Sequence, residues 1–163
     1  LPAIIVSILI DQRDDFEQKL SEDEQRFRGA IQYSAIGMAL VRPDGHWMVV
    51  NPALCEITGY SEEELMQLTY RDITHPEDLD RDQALLNQLT NLEIPSYTLE
   101  KRYIKKDSEI VWISLIVSAV FDQKKNVIYY ITQVENITMR KRMEAALQES
   151  EQRWNFALEG GSQ

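Results

Sequence analysis

The chain has 163 residues, 44% hydrophobic and 27% charged, with a formal net charge of −10, which is enough for one domain with a sizeable core and flanking segments. That charge argues against nucleic acid or anionic headgroups as partners, and no Lys/Arg cluster with interleaved aromatics offsets it. One cysteine, Cys55, excludes an internal disulfide and a multi-cysteine metal site and fits a reducing compartment.

Residues 1–10 are almost wholly apolar. Ten residues fall short of the ~20 that span a bilayer. No basic region or small-residue cleavage site marks a signal peptide. Two readings stand: the end of a transmembrane helix whose earlier part precedes Leu1, or the apolar start of a soluble helix. The abrupt change to charge at residues 11–24 favours the first.

Residues 11–33 read as a linker helix. They lack proline, and Phe16, Leu20, Phe27 and Ile31 recur at offsets of 4, 7 and 4 with charges between them. So narrow a stripe suits a partner helix or the back of a sheet. The apolar runs at 36–41 and 46–50 flank Arg42-Pro-Asp-Gly45, in which proline presets φ and glycine accepts a positive φ, so a β-hairpin is expected.

Asn51-Pro52 opens a short helix that stops at Gly59, with Asn51 as N-cap. Ser61-Glu-Glu-Glu64 fits a capping box for the next. His75-Pro-Glu-Asp78 begins a longer helix with an apolar face of Leu79, Leu85, Leu86 and Leu89. Three strand-like runs follow, at 97–104, 110–121 and 127–137, separated by polar turns. The middle run is apolar on both faces, which places it inside a sheet covered on both sides. Helix is expected again from Met139, with Met139, Met143, Ala146 and Leu147 as a seam.

An internal repeat orders these pieces. Leu20-Ser-Glu-Asp-Glu-Gln-Arg-Phe and Leu147-Gln-Glu-Ser-Glu-Gln-Arg-Trp share register at an offset of 127 residues (147 − 20). A repeat of domain length points to a tandem array. The last helix is then both the exit of one domain and the entry of another.

The order of elements, with particular residues, resembles the PAS superfamily over residues 27–138. Asn51-Pro-Ala-Leu-Cys-Glu-Ile-Thr-Gly-Tyr60, Ser61-Glu-Glu-Glu-Leu65 and His75-Pro-Glu-Asp78 carry the resemblance. Glu100-Lys-Arg-Tyr103, Val111-Trp112 and Glu135-Asn-Ile-Thr138 continue it. The last stands where the family's exit motif reads Asp-Ile-Thr. The implied fold is α+β: a five-stranded antiparallel sheet with short helices on one face and flanking N- and C-terminal helices. Residues 34–138 would form the core, and 139–163 the signalling helix and the start of a second repeat.

Residues 27–41 resemble, more narrowly, the PAS domains of membrane-anchored, multi-PAS diguanylate cyclases. That resemblance implies a cytoplasmic domain of a bacterial inner-membrane protein, meeting the membrane through the upstream segment alone. Its partners would be a second copy and the adjacent PAS and output domains. The output would be a GGDEF domain making cyclic di-GMP; no Gly-Gly-Asp-Glu-Phe run occurs here. The alternative is a sensor of a small molecule or non-covalent flavin upstream of a histidine kinase. The homodimer would use Phe16, Leu20, Phe27 and Ile31, with Trp112 and Ile116 from the sheet's outer face.

No catalytic role is expected for this stretch. Glu62–Glu64 and Glu77-Asp78 read as helix-start residues, and no phosphate loop is present. Tyr70 stands where the resemblance places a flavin-reactive cysteine, and Gln83 where it places a haem histidine, which argues against both cofactors. His75 reads as a local structural residue, and no other metal set is visible.

No bound cofactor is predicted, and an unknown small ligand stays open. Met38, Leu54, Tyr70, Ile113, Leu115, Thr132 and Val134 are expected around a small pocket. Glu100 and Arg102 share one strand face. If it points inward, Arg102 can receive a carboxylate ligand; otherwise the two form an internal or surface ion pair. The signal would leave through Asn136, Thr138, Arg140 and Arg142. Asn136, an amide in place of the family's aspartate, cannot ion-pair with either arginine, so coupling to the helix is looser or carried by other residues.

Overall fold

The computed structural model describes residues 2–161. They fall into two compact units, divided between Ala35 and Ile36. The first unit is a single helix, α1 (Pro2–Gln32). It starts nine residues before the helix expected from residue 11, because the apolar opening residues continue the same α-helical turns. Ile4, Ile5, Val6, Ile8, Leu9 and Ile10 are each at least half exposed on it. No helix of the described residues is long and apolar enough to cross a membrane. Phe16, Leu20 and Phe27 lie exposed along α1, and Ile31 is buried.

The second unit is α+β. Strands β1 (Gly37–Val41), β2 (Trp47–Val50), β3 (Ser96–Ile104), β4 (Ile110–Phe121) and β5 (Val127–Asn136) form one sheet. Every pairing is antiparallel, in the order β2-β1-β5-β4-β3. Between β2 and β3 lie α2 (Pro52–Thr58), α3 (Glu62–Met66), α4 (Tyr70–Ile73), a 3-10 turn (Pro76–Asp78) and α5 (Leu79–Thr90). Helix α6 (Thr138–Gly160) leaves the end of β5.

Local chemistry fixes the ends of these elements. The hairpin turn closes through Arg42 N to His46 O (2.8 Å), with Gly45 at φ +97°, a value that favours glycine. Asn51 does three jobs. Its Oδ1 accepts from Leu54 N (3.1 Å), capping α2, and from Met38 N (2.9 Å), while its Nδ2 donates to Ile36 O (2.9 Å). The first short helix is thereby tied to the start of β1. Gly59, at φ +75°, ends α2 in the left-handed conformation. Ser61 and Glu64 complete the capping box of α3.

The core lies between the sheet and α2–α5. Leu54, Leu65, Ile73, Leu86 and Leu89 from the helices meet Ala39, Val41, Ile113, Leu115, Val117 and Val134 from the sheet. Strand β4, apolar on both faces, runs between β3 and β5. Ile113, Leu115 and Val117 point inward; Ile116 is 43% exposed on the outer face. So β4 is an internal strand covered by helices on its inner face, and its outer face is covered at the Trp112 end.

Candidate functional site

Strand β3 sets the site. Its residues alternate, with Tyr97, Leu99, Lys101 and Tyr103 buried and Glu100 and Arg102 half-buried on the opposite face. The inward residue is therefore Lys101. Arg102 does not reach an inner pocket, and Glu100 and Arg102 do not pair with each other, because each has a partner on its own side.

On the inner side, Lys101 and Asp82 of α5 form a buried ion pair, Nζ to Oδ2 2.5 Å, with side chains 1% and 2% exposed. Lys101 Nζ also donates to Thr74 Oγ1 (3.0 Å), and the Tyr97 hydroxyl donates to Asp82 Oδ1 (2.9 Å). The ammonium lies over the rings of Tyr103 (5.0 Å to centroid) and Tyr70 (5.5 Å). Burial pulls the Lys101 pKa below the ordinary lysine value, opposed by the Asp82 charge and hydrogen bond. Burial likewise raises Tyr97 and Tyr103, and pushes Tyr70 up to about 12.

Lys101, Asp82, Tyr97 and Tyr103 wall a cavity of about 30 Å³, room for one water-sized group. Val41, Trp47, Leu86, Val117 and Tyr130 complete the wall with the expected Tyr70, Leu115 and Thr132. The Trp47 indole Nε1 is buried without a hydrogen-bond partner among the described residues. The other expected lining residues lie elsewhere. Met38 is on the outer side of β1, whose inward residues are Gly37, Ala39 and Val41. Leu54, Ile113 and Val134 are fully buried in the core away from the cavity wall. Gln83 accepts from the Tyr70 hydroxyl (3.1 Å), and the His75 imidazole caps the 3-10 turn by accepting from Glu77 N (3.2 Å). Among the described residues no group of three or more His, Cys, Asp or Glu is placed to hold a metal.

On the outer side, Arg102 grips Asp78. Its Nη2 lies 2.8 Å from Oδ1 and its Nε 3.0 Å from Oδ2, a bidentate pair, with Glu77 at 3.1 Å from Nη2. The Arg102 hydrogen bonds hold the Asp78 carboxyl below its ordinary pKa. Glu100 reaches the exit helix, with Oε1 2.8 Å from Arg140 Nη2 and Oε2 2.5 Å from Lys141 Nζ. Those contacts, Lys141's first, depress its pKa, so it stays ionised at neutral pH.

Trp112 of β4 joins this cluster, with Arg102 5.3 Å and Lys141 5.0 Å from its ring. Its backbone N–H donates to Thr138 Oγ1 (3.0 Å), and its carbonyl accepts from Ile137 N (2.9 Å). Asn136 Oδ1 accepts from Thr138 N (3.0 Å), an intra-motif turn. Arg142 lies at a shallow surface groove with Asn136, Met139 and Lys105. The helix is thus held to the sheet through Glu100 and Thr138, a route in which Asn136 needs no charge.

Sequence reasoning had placed neither Lys101 nor Asp82. A period-2 reading of Tyr97, Leu99, Lys101 and Tyr103 sets Lys101 among large buried residues. On α5, Leu79, Asp82, Leu86 and Leu89 fall at helical spacing. Opposite charges, each on an apolar face, were the available signal.

A family model described as a PAS domain matches residues 35–139. The chain belongs to the PAS domain family. Over 161 residues, 99% of its length, it is 41% identical to the probable diguanylate cyclase DgcE of Escherichia coli, of which it spans 15%. Over 153 residues, 92% of its length, it is 26% identical to the sensor histidine kinase TmoS of Ectopseudomonas mendocina, spanning 16% of it.

Among solved structures, a PAS domain from Colwellia psychrerythraea aligns with TM-score 0.64 at 18% identity, covering 71% of this chain and 97% of that one. A sensory box histidine kinase/response regulator from Burkholderia thailandensis aligns with TM-score 0.64 at 24% identity, covering 80% and 98%. At such identities the structures establish the PAS fold. The chain is a PAS sensory domain whose curated relatives include a probable diguanylate cyclase and a sensor histidine kinase.

Proposed function

We propose that this PAS domain relays a signal through α6 to the output of a longer membrane-anchored protein, and that the output is a diguanylate cyclase. The observation that carries the relay is the exit junction. One carboxylate, Glu100, holds two consecutive cations of α6, Arg140 and Lys141, while Thr138 and Ile137 bond the backbone of Trp112. A displacement of β3 reaches the helix through charge-assisted contacts. The 41% identity to a probable diguanylate cyclase supports the choice of output, and the repeat at residues 147–154 supports a second PAS domain after α6.

Replacing Glu100 with lysine sets it against Arg140 and Lys141. Amide exchange in the first two turns of α6 is expected to speed up by at least about tenfold, with the inner sheet unchanged. Exchange identical to wild type sinks the junction.

The same reading takes the active form as a homodimer. Phe16, Leu20 and Phe27 are 67%, 60% and 57% exposed on α1, and a second copy would cover them. Deleting the residues before Gly29 is expected to shift the mass seen by light scattering toward monomer; an undiminished dimer contradicts a helical interface.

A second reading, a small-molecule sensor, is favoured by the cavity between the sheet and the helices. The 26% identity to a sensor histidine kinase supports that output as its alternative.

A further inference from the structure

The groups around Lys101 Nζ form a set that recognises ammonium: a carboxylate at 2.5 Å, a hydroxyl at 3.0 Å, and two tyrosine faces at 5.0 and 5.5 Å. The carboxylate is itself oriented by the Tyr97 hydroxyl (2.9 Å). Neither charge touches solvent. Burial of such a pair is not required for stability, since apolar residues of the same volume generally serve as well. A cavity lies directly against the pair.

We propose that Asp82, Thr74 and the faces of Tyr70 and Tyr103, at the polar end of this cavity, form a recognition site for a primary ammonium group, and that Lys101 Nζ occupies it as a tethered ligand. The proposal deepens the sensor reading and is independent of which output follows. An incoming alkylammonium ligand takes the place of Nζ on Asp82 and Thr74, under the rings of Tyr70 and Tyr103. An anion in the same place would leave Asp82 buried without its counter-charge. The neighbours of Lys101 along β3 face the other way, Glu100 to the exit helix and Arg102 to Asp78. Release of Lys101 therefore frees the strand that holds α6.

Chemical rescue tests this directly. Lys101→Ala removes Cγ, Cδ, Cε and Nζ, the heavy atoms of n-propylammonium. Thermal unfolding of the 163-residue chain is followed with propylammonium chloride, against 1-propanol, sodium propionate and sodium chloride at equal concentration. The midpoint of the Lys101→Ala variant is expected to rise saturably by about 4 °C or more with propylammonium. The other three additives should give less than a quarter of that shift, and the wild type should respond less than the variant.

Equal shifts from propanol and propylammonium, or no saturable shift, overturn the proposal. Adding Asp82→Asn must abolish the rescue; persistence overturns it too. Should Lys101→Ala not fold unaided, it is refolded in each additive. Recovery in propylammonium alone supports the site, and recovery in none or in all contradicts it. The readout does not involve dimerisation or the output domain, so the failure of that relay and the failure of the ammonium site remain distinguishable.

Discussion

Replacing Asp82 with alanine is expected to lower the stability of the domain by about 3–5 kcal/mol, because it strands the Lys101 ammonium in the core. The ammonium is 1% exposed and would keep one hydrogen-bonding partner, Thr74 at 3.0 Å. The measurement is the urea midpoint, read at an unchanged slope. The double replacement Asp82→Leu with Lys101→Met removes both charges and keeps approximate volume; it is expected to recover most of the loss. If Asp82→Ala costs less than about 1 kcal/mol, the pair is not the buried contact described.

The deficit should also depend on pH, with a sign that follows from the lysine. Burial already lowers the Lys101 pKa, and Asp82 is the strongest influence opposing that fall. Without Asp82 the pKa drops further. A base that holds its proton less tightly when folded makes stability rise with pH between its folded and unfolded values. The Asp82→Ala deficit therefore narrows as pH rises from the lowered Lys101 value toward the ordinary lysine range and Lys101 neutralises. Above about pH 10 the stability of wild type and variant alike falls. Tyr97 and Tyr103 are raised by burial and Tyr70 stands at about 12, so the folded chain keeps protons the unfolded chain releases.

The elements were legible where the chemistry is local. Asn51 before Pro52, the Ser61–Glu64 box and the Pro-Asp-Gly turn act within a few residues, and each closes as its sequence predicts. What Asn51 does beyond its helix, bonding Ile36 and Met38, depends on the chain returning from β1 and carries no local mark.

Facing was harder. Gly37–Val41 is apolar on both parities, so hydrophobicity alone does not tell Met38 from Ala39. On β3 the run Glu100-Lys101-Arg102 puts a charge on both parities, so the pattern alone does not say whether Arg102 or Lys101 points inward. The odd member carries the buried charge because α5 brings Asp82 to meet it. The exit junction was illegible for another reason. Glu100 and Arg140 are brought together by the pairing of β3 with β4 and β4 with β5, which sequence spacing does not reveal. The loss of charge at Asn136 was visible; the Glu100 contacts that span the same junction were not.

The second large effect concerns the output. Glu100 touches two cations of α6, one of which, Lys141, also lies over Trp112. Reversing its charge breaks those contacts without touching the inner core, since Glu100 is on the outer face of β3. If the junction carries the signal, the state of the helix changes while the domain stays folded. Couplings of this kind are worth about 1–3 kcal/mol, or about 5–150-fold in an equilibrium.

The most direct measurement of the proposed relay to a diguanylate cyclase output is cyclic di-GMP formation by the intact protein carrying Glu100→Lys, alone and with Arg140→Glu and Lys141→Glu. The account predicts a change in rate of at least about fivefold for Glu100→Lys, with return toward wild type when the two helix charges are reversed as well. A wild-type rate in Glu100→Lys, with the junction shown by amide exchange to be broken, would contradict it.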